Sequence, residues 1–267
     1  MIHLNNNSKN NQYRILTEQI NLTSSDLDTK STNEIVSIFS ESDKEPQIAV
    51  ENAIPEIIKA IDEITLKLKS NGRLFYIGTG TSGRLGVLDA SECPPTFCTD
   101  PELVQGIIAG GIKSLTRSSE SLEDEPEISI ADLKDRNFSN RDVLIGITAS
   151  GRTPYVLSAL NYSKNIRALT ISISSVPGSD SKLVNDIDIR LITGPEILAG
   201  STRLKAGTAT KMALNIISTS VMIKLGKVYD NRMIDLSVCN EKLIDRAISI
   251  LFDIASVNKK TALQLLK

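Results

Sequence analysis

The stretch YIGTGTSGRL, residues 76–85, holds the residues whose types and spacing most directly suggest chemistry. Its glycines form the pattern G-x-G-x-x-G over residues 78–83, with threonine and serine between them. Glycine lets a backbone approach a ligand closely, and the N-terminus of a following helix attracts negative charge. The loop therefore predicts a binding site for a phosphate group.

The glycine pattern also resembles a dinucleotide fingerprint, but the rest of that signature is absent. A dinucleotide site needs a carboxylate about 20 residues further on, at the end of the second strand, to bind ribose. The second predicted strand, residues 103–110, ends without a carboxylate. The loop also lacks the lysine of a triphosphate-binding loop. Both absences argue against NAD and against a nucleoside triphosphate.

A second loop of the same kind, ASGRTPY at residues 149–155, follows another predicted strand. Two loops that are rich in hydroxyl groups and meet at one crevice suit a phosphate monoester on a small molecule. The residues predicted to bind this phosphate are Thr81, Ser82, Gly83, Ser150, Gly151 and Thr153.

Strands and helices alternate along the chain, which is typical of a parallel sheet with helices on both faces. Strands are predicted at 73–78, 103–110, 142–150, 167–174 and 186–193, and helices at 47–70 with a bend near Pro55, 84–93, 112–124, 153–165, 201–228 and 240–257. Pro94 and Pro95 are expected to end the 84–93 helix. Five strands fit the flavodoxin-like order 2-1-3-4-5, which brings both loops to one crevice.

The composition limits the chemistry and the partners. The 267 residues have no tryptophan, 4% aromatic residues and a formal net charge of −2, so nucleic acid is not an expected partner. The single histidine, His3, lies in an asparagine-rich stretch, so acid–base chemistry must use carboxylates, lysine, tyrosine or cysteine. Three cysteines are too few for a disulfide framework. A zinc site is not expected either, because there is no second Cys/His pair to complete it. No membrane span or signal peptide is recognised, and a cytoplasmic protein is predicted.

Three parts of the chain are predicted. Residues 1–46 form an N-terminal segment, of which 1–14 are expected to be disordered because they are polar and rich in asparagine. Residues 47–228 form the α/β domain. Residues 229–267 form a C-terminal helical segment.

Several stretches carry a family resemblance. GRLFYIGTGTSGRLGVLDASECPPT (72–96), ASGRTPY (149–155) and GSTRLKAGTATKMALNIISTSVMIKLGKVYDNRMIDL (200–236) resemble the N-acetylmuramic acid 6-phosphate etherases, enzymes built on a sugar-isomerase (SIS) domain. LTEQINLTSSDLDTKSTNEI (16–35) resembles the start of the same family. The similarity covers roughly residues 16–260. Because family members usually continue with further helices, a shortened C-terminus is expected.

The resemblance implies an activity. The family substrate is an N-acetylglucosamine 6-phosphate that carries a D-lactyl ether at C3, and the products are N-acetylglucosamine 6-phosphate and D-lactate, formed during peptidoglycan recycling. The reaction is an elimination followed by hydration. The family is also expected to act as a homodimer without a metal ion or an organic cofactor.

The resemblance assigns two catalytic carboxylates. Glu92, in DASECPP, matches the family's proton donor, and its predicted place in the last turn of a helix favours a protonated carboxyl group. Glu123 matches the second catalytic glutamate, expected to remove the C2 proton. The residues alone show only an acidic cluster there and leave Glu120, Glu123 and Asp124 as alternatives.

Three cations lie in matching motifs and are candidate contacts for the lactyl carboxylate: Arg152, Arg203 and Lys205. Two other functions fit the same fold. One is a non-catalytic regulator that binds a sugar phosphate, as in the related glucokinase regulatory proteins. The other is an aldose–ketose isomerase, which needs a base at C2 but no acid at the C3 ether. Glu92 therefore discriminates between the isomerase and the etherase.

Overall fold

A parallel five-stranded sheet forms the centre of the protein. The structure is a computed structural model, and it describes residues 15–117, 120–235 and 241–266. The strands are β1 (Leu74–Gly78), β2 (Val104–Ile108), β3 (Val143–Ile147), β4 (Leu169–Ser174) and β5 (Ile187–Arg190). Their order is β2-β1-β3-β4-β5, which confirms the predicted order.

Helices cover both faces of this sheet. The helices that the structure describes are α1 (Thr32–Ser42), α2 (Glu45–Asn52), α3 (Ile54–Lys69), α4 (Gly80–Phe97), α5 (Lys113–Thr116), α6 (Pro126–Asp135), α7 (Pro154–Asn165), α8 (Lys205–Lys224), α9 (Glu241–Ala255) and α10 (Lys259–Leu265). A two-stranded antiparallel ribbon, β6 (Val228–Tyr229) and β7 (Arg232–Met233), follows α8. None of the described helices is long and apolar enough to cross a membrane.

Successive side chains of a strand point to opposite faces of the sheet, so each face has its own hydrophobic core. Leu74 and Tyr76 of β1 belong to the cluster formed with α2, α3, α4 and α8, whereas Phe75 and Ile77 belong to the cluster formed with α6 and α7. All four side chains are completely buried. A central parallel strand buried on both faces reads as a continuous apolar run, as LFYIG does.

Three predicted helices differ from the structure. α4 begins at Gly80 and continues through Pro94 and Pro95 to Phe97, so the prediction that these prolines end the helix was wrong. Each proline removes an N–H donor and crowds the carbonyl of the preceding turn, yet the last turn still closes with the Cys98 N–H on the Pro94 carbonyl. The 47–70 helix is two helices that meet at Ala53, close to the bend predicted near Pro55. The 112–124 helix is a short α5 and a 3-10 helix at Glu120–Asp124, and α6 was not predicted.

The chain before α1 forms three 3-10 turns, Leu16–Glu18, Leu22–Ser24 and Leu27–Thr29, and residues 16–24 bond to the loops that follow β4 and β5. We call residues 15–30 the N-terminal strap. A capping box between Ser31 and Glu34 begins α1 directly after it. The predicted disorder of residues 1–14 falls outside the described residues, and the three predicted domain boundaries stay predictions.

Candidate active site

The glycine-rich loop joins β1 to α4 through a close contact. A Cβ atom on Gly83 would lie 2.6 Å from the Gly78 carbonyl oxygen and 2.7 Å from Cγ1 of Ile108, so only glycine fits there. The Gly83 N–H donates to the Thr79 carbonyl at 3.0 Å. Gly83 therefore packs the helix against the sheet and is not among the residues that line the cavity, and its binding of phosphate stays a prediction.

The first turn of α4 presents free backbone donors. Thr79 is the N-cap, and its side chain makes no capping hydrogen bond. The N–H groups of Gly80, Thr81 and Ser82 precede the first intrahelical bond and have no acceptor inside the helix. Together with the helix dipole, they form a site for an anion.

A cavity of about 420 Å³ opens at this helix end, at the carboxyl ends of β1 and β3. Polar residues dominate its lining, which comprises Thr17, Glu18, Thr79, Gly80, Thr81, Ser82, Arg84, Glu123, Thr148, Ala149, Ser150, Thr153, Gly200 and Thr202. The structure thus brings together both predicted loops and Glu123. The size of the cavity suits a small polar molecule.

A chain of hydroxyl groups positions Glu123. The Thr153 hydroxyl donates to Oε1 of Glu123 at 2.9 Å, and the Thr148 and Thr153 hydroxyls are 2.9 Å apart. Thr148 and Thr153 are buried, so this chain is fixed in the protein interior. It holds one carboxylate oxygen of Glu123. Among the alternatives in the described part of the acidic cluster, Glu123 is the one that lines the cavity.

Arg84 is the cation among the described cavity residues, and it was not among the predicted site residues. Its Nε donates to the Leu115 carbonyl at 3.1 Å and its Nη2 to the Arg117 carbonyl at 3.2 Å. These bonds fix the guanidinium beside the segment that leads to Glu123. Its place directly after the predicted phosphate loop was an available signal, because phosphate sites commonly include arginine.

Three predicted residues lie at or beyond the cavity's rim. Gly151 has a φ of +66° and packs against Ser181. Arg152 lines a shallower neighbouring depression, and its Nε donates to the Asp180 carbonyl at 2.6 Å. Arg203 is exposed and does not line the cavity.

Lys205 is buried and does not line the cavity either, so the expectation that it meets a ligand carboxylate is not supported. Its ammonium forms an ion pair with Glu45 at the start of α2. Glu196 closes the same helix end, because its carboxylate accepts the N–H groups of Lys205 and Ala206, both at 2.9 Å. Burial raises the pKa of Glu196 against the opposing effect of these two bonds. The N-terminus of α8 is thus occupied by the protein's own carboxylate.

Glu92 lies far from the cavity of its own chain. It is exposed on α4, which continues for more than one turn beyond it, so the predicted place in the last turn was wrong. At 1.5 Å per residue, Glu92 lies roughly 18 Å along the helix from Gly80. One turn earlier, Asp89 is buried and accepts from Tyr76 at 2.9 Å and from Ser218 at 3.2 Å.

Within the described ranges, no group of histidine, cysteine, aspartate and glutamate side chains is arranged to hold a metal ion.

Comparisons with known sequences identify the family. The chain is 83% identical over all 267 residues to the N-acetylmuramic acid 6-phosphate etherase of Prochlorococcus marinus strain NATL2A, and covers 86% of that protein. The chain belongs to the N-acetylmuramic acid 6-phosphate etherase family. The etherase of Crocosphaera subtropica is 57% identical over 252 residues, which are 94% of this chain and 83% of that protein.

Two family profiles match the etherase-family chain: the glucokinase regulatory protein N-terminal SIS domain at residues 56–164 and the SIS domain at residues 123–220. Among solved structures, a ligand-bound protein of E. coli CFT073 has a TM-score of 0.53 at 18% identity, covering 75% of this chain and 96% of its own. Phosphoheptose isomerase GmhA from Neisseria gonorrhoeae has a TM-score of 0.52 at 15% identity, covering 73% and 98%. These two structures confirm the SIS fold.

Proposed function

We propose that the chain cleaves the D-lactyl ether of N-acetylmuramic acid 6-phosphate to N-acetylglucosamine 6-phosphate and D-lactate. The observation that carries this proposal is the 83% identity to an etherase over the whole chain. The cavity supports it, because a helix N-terminus, hydroxyl groups and a carboxylate line one polar space. That the protein acts as a homodimer in the cytoplasm stays a prediction.

The phosphate is proposed to bind at the first turn of α4. The free N–H groups of this turn and the hydroxyls of Thr81, Ser82 and Ser150 supply donors to its oxygens. Arg84 supplies positive charge in the same cavity. With the phosphate fixed there, the sugar carbons extend toward Glu123.

Glu123 is proposed as the base at C2. In the opened sugar, the C1 aldehyde acidifies the C2 proton. The Thr153 hydroxyl engages Oε1 of Glu123, and Oε2 is left to accept this proton. The electron pair of the C2–H bond then forms the C2–C3 double bond as the C3–O bond breaks. Water later adds at C3, and the proton returns to C2.

Glu92 is proposed as the acid that protonates the departing ether oxygen, supplied to the cavity by a second copy of the chain. The roughly 18 Å between Gly80 and Glu92 exceeds the combined reach of a glutamate side chain and a six-carbon sugar phosphate. Within the proposed homodimer, Glu92 of one copy would serve the cavity that holds Glu123 of the other. Each site then contains two carboxylates with separate roles.

The test is release of D-lactate from N-acetylmuramic acid 6-phosphate by the purified protein. We expect turnover without added metal ion or NAD. Folded protein that binds N-acetylglucosamine 6-phosphate yet releases no lactate would favour the non-catalytic regulator. Isomerisation of an aldose phosphate in place of lactate release would favour the isomerase.

A further inference from the structure

The N-terminal strap contributes one wall of the cavity. Thr17 and Glu18 line the cavity, although both precede the two SIS ranges that the family profiles match. The Leu16 N–H donates to Oδ2 of Asp180 at 3.2 Å, and Nδ2 of Asn21 donates to the Pro195 carbonyl at 3.0 Å. These two hydrogen bonds flank Thr17 and Glu18 in the sequence and hold both residues in place without any ligand.

Thr17 has a polar atom that lacks a partner. The residue is 2% exposed, and its Oγ1 has no hydrogen-bond partner in the part of the chain that the structure describes. A buried hydroxyl without a partner is unfavourable in the free protein. Thr17 lines the cavity, but Oγ1 itself is not exposed there, so a bound molecule supplies the missing partner only if the Thr17 side chain turns its hydroxyl toward the cavity.

Glu18 has the chemistry to recognise a hydrogen-bond donor. Its Oε2 would lie 3.1 Å from a Cβ atom on Gly200, which has a φ of +78°, so glycine at this position leaves room for the carboxylate. Glu18 is exposed, and an ionised carboxylate only accepts hydrogen bonds. A phosphate or carboxylate beside it would be repelled. A hydroxyl or amide N–H would be attracted.

We propose that Thr17 and Glu18 bind the uncharged part of the sugar, so that the strap determines specificity while the first turn of α4 binds the phosphate. Glu18 accepts a hydrogen bond from a sugar hydroxyl or the acetamido N–H, and the Thr17 hydroxyl bonds to a neighbouring polar group of the sugar. The proposal deepens the proposed function, since it concerns the same cavity and the same class of ligand.

The test measures binding of two probes, N-acetylglucosamine 6-phosphate and inorganic phosphate, by calorimetry. We expect T17V and E18A each to weaken binding of the sugar phosphate about tenfold, with E18Q between E18A and the wild type. Binding of inorganic phosphate should be unchanged or slightly tighter. The melting temperature of T17V without ligand should be no lower than that of the wild type, because the lost hydroxyl had no partner.

Matched controls separate these roles from general effects. Thr99 also has a buried Oγ1 without a partner among the described residues, but it does not line the cavity, so T99V should bind both probes normally. Asp28 is an exposed carboxylate of the strap outside the cavity, so D28A should do the same.

Sugar-phosphate binding that is unaltered in T17V and E18A would overturn the proposal. Equal losses for both probes would also overturn it, because the strap would then support the whole cavity instead of reading the sugar. These binding results do not depend on turnover. A wild-type protein that shows the expected binding pattern but releases no lactate would refute the etherase activity and leave the strap's role intact.

Discussion

The two ends of α4 differ in what their polar groups do. At the first turn, backbone N–H groups and the hydroxyls of Thr81 and Ser82 face a cavity and are available to a ligand. Near the other end, Asp89 is buried between β1 and α8, where its oxygens accept from Tyr76 and Ser218. Glu92 lies on the exposed side of the same region. One helix thus supplies a binding site at one end and an internal support at the other.

Within one chain, the two proposed catalytic groups therefore do not share one space. Glu123 lines the cavity at the first turn, whereas Glu92 is displaced along the helix. The helix between them is rigid and packed on the sheet through close glycine contacts, so bending cannot bring Glu92 back. The difference between the ends is therefore the basis for expecting a shared site.

The largest expected effect is from E123Q. Loss of the base should lower lactate release by about 10²- to 10⁴-fold and abolish exchange of the C2 proton with solvent deuterium on N-acetylglucosamine 6-phosphate. NMR of the sugar in deuterated buffer measures the exchange. Glu127 is an exposed glutamate nearby, and E127Q should behave like the wild type. Exchange at the normal rate in E123Q would assign the base elsewhere.

E92Q should impair lactate release but not exchange of the C2 proton. Loss of the acid should lower lactate release by about 10²-fold or more while C2 exchange continues, because deprotonation at C2 does not involve the ether oxygen. Glu102 is also exposed, and E102Q serves as the control. If E92Q lost exchange as completely as lactate release, Glu92 would not have a separate acid role.

G83A tests the packing that places the first turn. Its Cβ would approach the Gly78 carbonyl to 2.6 Å, so we expect a loss of about 1–3 kcal/mol in the free energy of unfolding, measured with urea. Gly111 has a φ of +65° and open space around it, so G111A should cost about 1–2 kcal/mol from backbone conformation alone. A G83A protein as stable as the wild type would show that helix and strand are not tightly packed.

The smallest expected effect concerns Asp89. Burial raises the pKa of Asp89, against the opposing effects of its bonds from Tyr76 and Ser218 and of the Lys211 charge. Its ionisation therefore lowers stability as the pH rises from the unfolded pKa, about 3.9, through the folded pKa. Relative to the wild type, D89N should therefore be more stable at pH 7 than at pH 4. Thermal melts at the two pH values measure this.

Asp142 provides the opposite case. Burial acts to raise the pKa of Asp142, but its hydrogen bonds with Arg73 and Ser139 outweigh burial and lower it. Its stabilising effect is present above the unfolded pKa and is lost as the pH falls through the folded pKa. D142N should therefore cost more stability at pH 7 than at acid pH. The same sign for both variants would contradict the assignment of these two environments.

The sequence predicted the sheet and the place of the glycine loop after β1 for a physical reason, although α4 begins at Gly80, inside the predicted loop, and not at residue 84. Buried parallel strands are short apolar runs, and the glycine loop lies directly after one of them, so local pattern was sufficient. The predicted strand order was also sufficient to place the two hydroxyl-rich loops side by side, because they follow β1 and β3, which are neighbours in the sheet.

Long-range contacts explain what the sequence could not predict. Thr17 and Glu18 reach the cavity through bonds from the strap to Asp180 and Pro195, and no periodicity encodes such contacts. Lys205 matched a family motif, but its pairing with Glu45 depends on how α2 docks against α8. The path of α4 through Pro94 depends on packing against the sheet, which outweighs the cost of a lost N–H donor.

The most direct test of the shared site is the activity of mixed dimers. Co-expression of E92Q and E123Q with two different affinity tags isolates dimers that contain one copy of each. If Glu92 of one copy serves the cavity of the other, one of the two sites is intact, and about half of the wild-type lactate release is expected. A dimer of one wild-type copy and one E92Q/E123Q copy should then be inactive. The reverse pattern, an inactive first dimer and a half-active second dimer, would contradict the account.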